Sequence, residues 1–221
     1  MSKAEILGNI RRGLKRGEAS EEQKQAVLNR INQHARNLIP QRSQLSHAGQ
    51  IELFIAMATE AAAELFQLNS ITEVPQICAT WLKDHHIDTL VTASDEAILG
   101  LDWDSAAELT CVQRVAQVGD SASLTTSFAG IAETGTLMLH SGKDSPTTLN
   151  FLPDNHFVIL NRSDIVGPYE DAWQKLRDKT QGELPRTVNM ITGPSRSADI
   201  EQTLQMGAHG PKDLIILLIN D

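Results

Sequence analysis

Six apolar residues in a row, Leu214 to Ile219, constrain this chain more than any other feature. The run is far too short to cross a membrane, which takes about 20 residues. It lacks polar alternation, so it reads as a strand of a largely buried sheet. Other strand-like runs precede it: Asp88 to Ala93, Cys111 to Val118, Gly135 to His140, His156 to Leu160 and Val188 to Thr192. Between them lie segments of helical character, Pro75 to Lys83, Ser121 to Ile131 and Tyr169 to Lys179. Pro75 suits the first turn of a helix, and Ser121 to Ile131 is rich in small residues. Short apolar runs alternating with helices imply a buried sheet flanked by helices, the α/β class. We expect residues 88–92, 136–140, 156–160, 188–192 and 214–219 to be strands of one sheet.

The first 66 residues have a different texture. Ser20 followed by Gln23 is a capping pattern. Ile51, Phe54, Ile55, Ala58, Ala62 and Leu65 recur at helical spacing. Pro40 separates that helix from earlier ones. The expected organisation is a helical N-terminal extension, 1–68, followed by an α/β domain, 69–221.

Charge follows the same division. Residues 1–42 hold nine Lys/Arg and four Asp/Glu, whereas residues 43–221 hold ten and 24. A basic arm of this kind is a solvated helical face or a contact for an acidic partner. The net charge of −9 and an aromatic content of 4% argue against a nucleic-acid binder. Cys78 and Cys111 form no CxxC pair, which argues against an iron–sulfur or zinc site. Residues 1–40 lack the apolar core of a signal peptide, and no run spans a membrane, so a cytoplasmic location is expected. Gly142-Lys143-Asp144 is not a phosphate-binding loop, and GxGxxG, HExxH and GxSxG are all missing. His85-His86 sits near a helix end and reads as exposed rather than as a metal pair. No cofactor or metal site is expected.

Three stretches carry candidate chemistry. In "ITGPSRSADIEQTLQMGAHGP", Ile191 to Pro211, an apolar run ends in Gly193-Pro194 and a helix is expected to follow, closed by Gly207. Ser195 or Ser197 would cap it, and its N–H groups with Arg196 would seat an anion. His209 lies in the next turn. In "GIAETGTLMLHSG", Gly135 permits close backbone approach, Thr134 and Thr136 offer hydroxyls, and Glu133 is a carboxylate available as acid, base or nucleophile. In "LNFLPDNHFVIL", Pro153-Asp-Asn-His leads into a strand; Asp154 and His156 are expected either to face one cleft or, for Pro-Asp-Asn, to serve turn chemistry alone. We expect an anion site where 193–197 faces 133–136.

In their order and spacing over residues 130 to 215, "AETGT", "LPDNH" and "ITGPSRSADIE…GAHGP" resemble the LUD-domain family, and its lactate-utilization members in particular. That family usually has Thr where this chain has Ser197, and often Asp or Glu at position 133. The first 70 residues carry little of the resemblance. It implies a three-layer α/β/α sandwich like that of ribose-5-phosphate isomerase and CoA-transferases. It also implies a part in oxidising L-lactate to pyruvate with iron–sulfur partner proteins. With two cysteines this chain would be a non-redox component. The competing expectation is an independent enzyme acting on a phosphorylated or acyl substrate through Glu133.

Overall fold

A computed structural model of the chain describes residues 2–36, 38–200 and 203–221. It divides into two compact units, Met1–Leu38 and Ile39–Asp221. The first holds α1 (Lys3–Gly13) and α2 (Glu21–Gln33), each opened by a reciprocal capping box, Ser2 with Glu5 and Ser20 with Gln23. Neither helix buries a residue.

The second unit runs α3 (His47–Glu60), β1 (Glu64–Leu68), α4 (Val74–Asp84), β2 (Thr89–Thr92), α5 (Glu96–Leu99) and β3 (Thr110–Gln113). It continues with β4 (Ala122–Thr126), β5 (Ala129–Ile131), β6 (Thr136–His140), β7 (Asn155–Asn161), β8 (Ile165–Val166) and α6 (Tyr169–Thr180). It ends with β9 (Val188–Ile191), β10 (Arg196–Ile200), β11 (Thr203–Met206) and β12 (Asp213–Ile219). The class is α/β, built on a six-stranded, wholly parallel sheet in the order β1-β12-β7-β4-β2-β3. A smaller sheet, β8-β5-β6-β9, and the hairpin β10-β11 complete it.

The central strands explain their own composition. Ile215, Leu217 and Ile219 of β12 join Phe157 and Ile159 of β7 in a core with α4. Leu214, Ile216 and Leu218 join Val158 and Leu160 on the other face, against α3 and β6. Both faces of these strands are buried, so the residues read as a continuous apolar run. Beyond the smaller sheet, Ala172 and Leu176 of α6 cover Ala129, Ile131 and Met138. The smaller sheet therefore adds a layer to the expected sandwich.

Four expectations are corrected. Residues 136–140 and 188–192 do not join the central sheet: β6 and β9 pair antiparallel in the smaller one. Ser121 to Ile131 is not a helix but β4 and β5, whose small polar residues find partners within the core. Ser123 Oγ donates to the Leu149 carbonyl at 2.6 Å, and Ser127 Oγ donates to that of Ala129 at 2.9 Å. Leu65 does not extend the preceding helix. Ala62 at φ 66° turns the chain into β1, which pairs with β12. The helix expected after Pro194 is replaced by β10 and β11, with Arg196 opposite Met206. The Gly207 N–H donates to the Ser195 carbonyl at 2.9 Å, drawing the two ends of this segment together. Glu201 and Gln202 of that segment lie outside the described residues.

Two of these strands set the geometry of the site. From β2 the chain moves to its neighbour β3, whereas from β4 it moves, through the small sheet, to β7 on the other side. Adjacent strands whose connections leave in opposite directions open a crevice at their carboxyl ends. The residues just past those ends are Asp95 and Ser127. Among the described residues no helix is long and apolar enough to cross a membrane.

Candidate functional site

The 133–136 turn meets Thr192, the residue just before the 193–197 segment. Thr136 Oγ1 and Thr192 Oγ1 lie 2.6 Å apart, Thr134 Oγ1 lies 2.6 Å from Thr136 Oγ1, and the Tyr169 hydroxyl is 2.8 Å from Thr134 and 3.0 Å from Thr136. Both turns close on the last turn of α3. A Cβ on Gly135, at φ 64°, would stand 2.2 Å from the Ala58 nitrogen. One on Gly193, at φ 66°, would stand 2.0 Å from the Ala61 carbonyl oxygen. Arg196 donates to that same carbonyl at 3.0 Å, a cation at the negative end of a helix. Glu133 is half-buried in the β5–β6 turn, its backbone N–H donating to the Gly167 carbonyl at 3.1 Å.

This assembly differs from the expected one in two respects. No helix starts after Pro194, so the free N–H groups of a helix N-terminus are not what Arg196 accompanies. The turns also sit at the amino edge of the parallel sheet. β9 lies outside that sheet, and its carboxyl end meets the start of β12, where the Ser195 N–H donates to the Pro211 carbonyl at 2.8 Å. Ser195 Oγ in turn accepts from the His209 N–H at 3.3 Å. Ser197 stands within β10, opposite Gln205.

A small cavity of about 200 Å³ opens here, lined by Asn150, His156, Thr192, Gly193, Ser195 and His209 among others. His156 is wholly buried, which pushes its imidazole down to about 3 and keeps it neutral. Its Nε2 lies 2.8 Å from Thr125 Oγ1, and its Nδ1 has no hydrogen-bond partner. Asp154 points to a different task, receiving Lys212 Nζ at 2.7 Å.

The carboxyl edge holds a larger cleft, about 450 Å³, which sequence reasoning missed. Asp95 lines it from the end of β2, and Thr126, Ser127 and Phe128 from the end of β4. His140 enters from the end of β6, and Lys175 and Lys179 from α6. Burial raises the Asp95 carboxyl above its ordinary range; the Thr126 hydroxyl offsets part of the rise, Asp144 adds to it, and His140 opposes it. Asp95 Oδ2 is buried without a hydrogen-bond partner. Lys175 Nζ and Lys179 Nζ lie 5.4 and 5.0 Å from the centre of the Phe128 ring, and the His140 ring lies 5.4 Å from it. Lys175 pairs with Asp164. The strand β6 separates the two sites: Thr136 at its start and His140 at its end are roughly 13 Å apart at the rise of an extended strand.

Open α/β sheets as a class bind ligands in a crevice at the carboxyl edge, and this chain has a parallel sheet with a polar cleft at that edge. The LUD domain family model matches residues 114–219, so that stretch is similar to a LUD domain. The chain is 35% identical over 122 residues to lactate utilization protein C of Bacillus licheniformis, covering 54% of this chain and 50% of that protein. It is 36% identical over 123 residues to lactate utilization protein C of Macrococcus caseolyticus, covering 54% and 52%. An uncharacterized protein of Neisseria meningitidis serogroup B is 44% identical over 90 residues, covering 41% and 38%. The chain thus spans about half or less of the length of these relatives. The crystal structure of a DUF162 family protein from Deinococcus radiodurans superposes with a TM-score of 0.59 at 19% identity, covering 80% of this chain and 99% of that one. That likeness concerns the fold.

Proposed function

We propose that this protein is a non-redox component of an L-lactate utilization system, working with iron–sulfur partner proteins that carry electrons from lactate to their acceptor. The observation that carries this reading is the match of residues 114–219 to the LUD domain, together with relatives named lactate utilization protein C. The same stretch supplies most of the polar side chains of the carboxyl-edge cleft. The cysteine inventory favours a division of labour. Cys78 lies on α4 and Cys111 on β3, and four thiolates are the usual set for an iron–sulfur cluster. Electrons from lactate would therefore leave through other chains.

Deletion of the gene tests the role. The deletion strain is expected to grow on pyruvate and to fail on L-lactate, with growth restored by the gene in trans. Unimpaired growth on L-lactate would overturn the reading. The purified chain alone is expected to give no turnover of L-lactate with an artificial electron acceptor. Affinity purification from lactate-grown cells is expected to recover cysteine-rich iron–sulfur proteins.

A further inference from the structure

The carboxyl-edge cleft has the size and position of a small-molecule site, and its charges say what kind. Phe128 gathers two ammonium groups, those of Lys175 and Lys179, near one ring. Two like charges so placed repel each other, and the arrangement is relieved by anions. Asp164 answers Lys175. Lys179 has no carboxylate partner among the described residues, and it is exposed at the cleft. Opposite in chemistry stands Asp95, a carboxyl lining the same cleft, with one buried oxygen that no donor reaches. A buried acceptor without a donor is costly, and a hydroxyl brought by a ligand removes that cost. Cation and bare acceptor in one cavity select a molecule that is both anionic and hydroxylated.

We propose that this cleft binds a small hydroxylated anion. Lys179 contacts its anionic group, and Asp95 accepts the hydrogen bond of its hydroxyl. The anionic group is a carboxylate, as in a hydroxy acid, or a phosphate, as in a phosphorylated polyol. The site stands on the geometry of the cleft and does not require the lactate role.

Isothermal titration calorimetry of the full chain tests it with five probes: L-lactate, D-glycerate, glycerol 3-phosphate, propionate and glycerol. Binding of a hydroxylated anion is expected, at least tenfold tighter than either propionate, which lacks the hydroxyl, or glycerol, which lacks the charge. Saturation by L-lactate or D-glycerate assigns a carboxylate ligand, and saturation by glycerol 3-phosphate alone assigns a phosphate. Lys179→Met is expected to weaken the bound probe at least tenfold; since Lys179 is exposed, folding is retained. Asp95→Asn is expected to weaken the hydroxylated probe while leaving propionate unchanged. Should Asp95→Asn fail to fold, Lys179→Met decides. Absence of binding by every probe at millimolar concentration overturns the proposal, as does binding that Lys179→Met leaves unaltered. Growth on L-lactate, measured separately, distinguishes failure of this site from failure of the metabolic role.

Discussion

Thr136 and Thr192 hold their hydroxyl oxygens 2.6 Å apart across 56 residues of sequence, tying the β5–β6 turn to the end of β9. Thr134 and Tyr169 extend the contact into a chain of four hydroxyls. Such a network is worth more than its parts only if all members are satisfied. Thr136→Val, of nearly equal volume, is expected to destabilise by about 1–3 kcal/mol, because it leaves Thr192 and Tyr169 without that partner. In a double-mutant cycle with Thr192→Val, urea unfolding should yield a coupling of about 0.5 kcal/mol or more. Strict additivity would show that the short contact contributes nothing.

Gly193 is the position least able to accept a side chain. Its φ of 66° is left-handed, and an added Cβ meets the Ala61 carbonyl oxygen at 2.0 Å. Gly193→Ala is expected to cost more than about 2 kcal/mol, since backbone strain and a collision with backbone act together. Gly182 provides the comparison: its φ is 86°, but nothing lies within 4 Å of the added atom. Gly182→Ala should cost only the conformational part, about 1 kcal/mol. Equal midpoints for the two variants would refute the close approach to α3.

His156 gives the fold an acid-sensitive element. Its folded-state value, about 3, lies below the ordinary 6.5, so between these the unfolded chain binds a proton that the folded chain does not. Stability from this group is therefore complete above pH 6.5 and falls as pH drops toward 3, by about 1.4 kcal/mol per pH unit. NMR of the imidazole nitrogens should show a neutral ring down to about pH 4. A ring titrating near 6.5 in the folded protein would sink the prediction.

The cysteines should be unreactive in the native state. Burial pushes the Cys78 thiol far up, with Cys111 adding to the shift, and pushes Cys111 itself to about 11. Thiolate is the reactive form, so alkylation by iodoacetamide at pH 7.5 should be slower than for a free thiol by roughly a hundredfold at Cys111 and by more at Cys78. Mass spectrometry time courses measure both, and labelling at the free-thiol rate at either position would contradict this.

Much of the fold was legible because burial on both faces leaves a mark on composition. The strands β7 and β12 must present apolar groups alternately to two cores, so no polar alternation is possible. α4 was legible from its early proline, and α6 from the pattern between two strands. Elements of small or ambiguous residues were not. Ala122 to Ile131 carries no clear period, and what makes it two strands is a set of distant partners, such as the Leu149 carbonyl for Ser123 and His156 for Thr125. Leu65 continues the spacing of α3 in sequence, but pairing with β12 takes it into the sheet.

The candidate sites divide the same way. From sequence alone came the class of fold, the glycines that must make close turns, and the expectation that the 133–136 turn faces the 193–197 segment. These are local demands, met by residue type at a given position. The contact the structure makes is between Thr136 and Thr192, one residue before that segment. Tertiary structure alone decided that these turns lie at the amino edge, and that Asp95, Thr126, His140 and Lys179 share a cleft at the other. No spacing along the chain announces that group, because its members come from three strand ends and one helix. Only the order of the strands brings them together: β2 and β4 lie side by side while their connections leave in opposite directions.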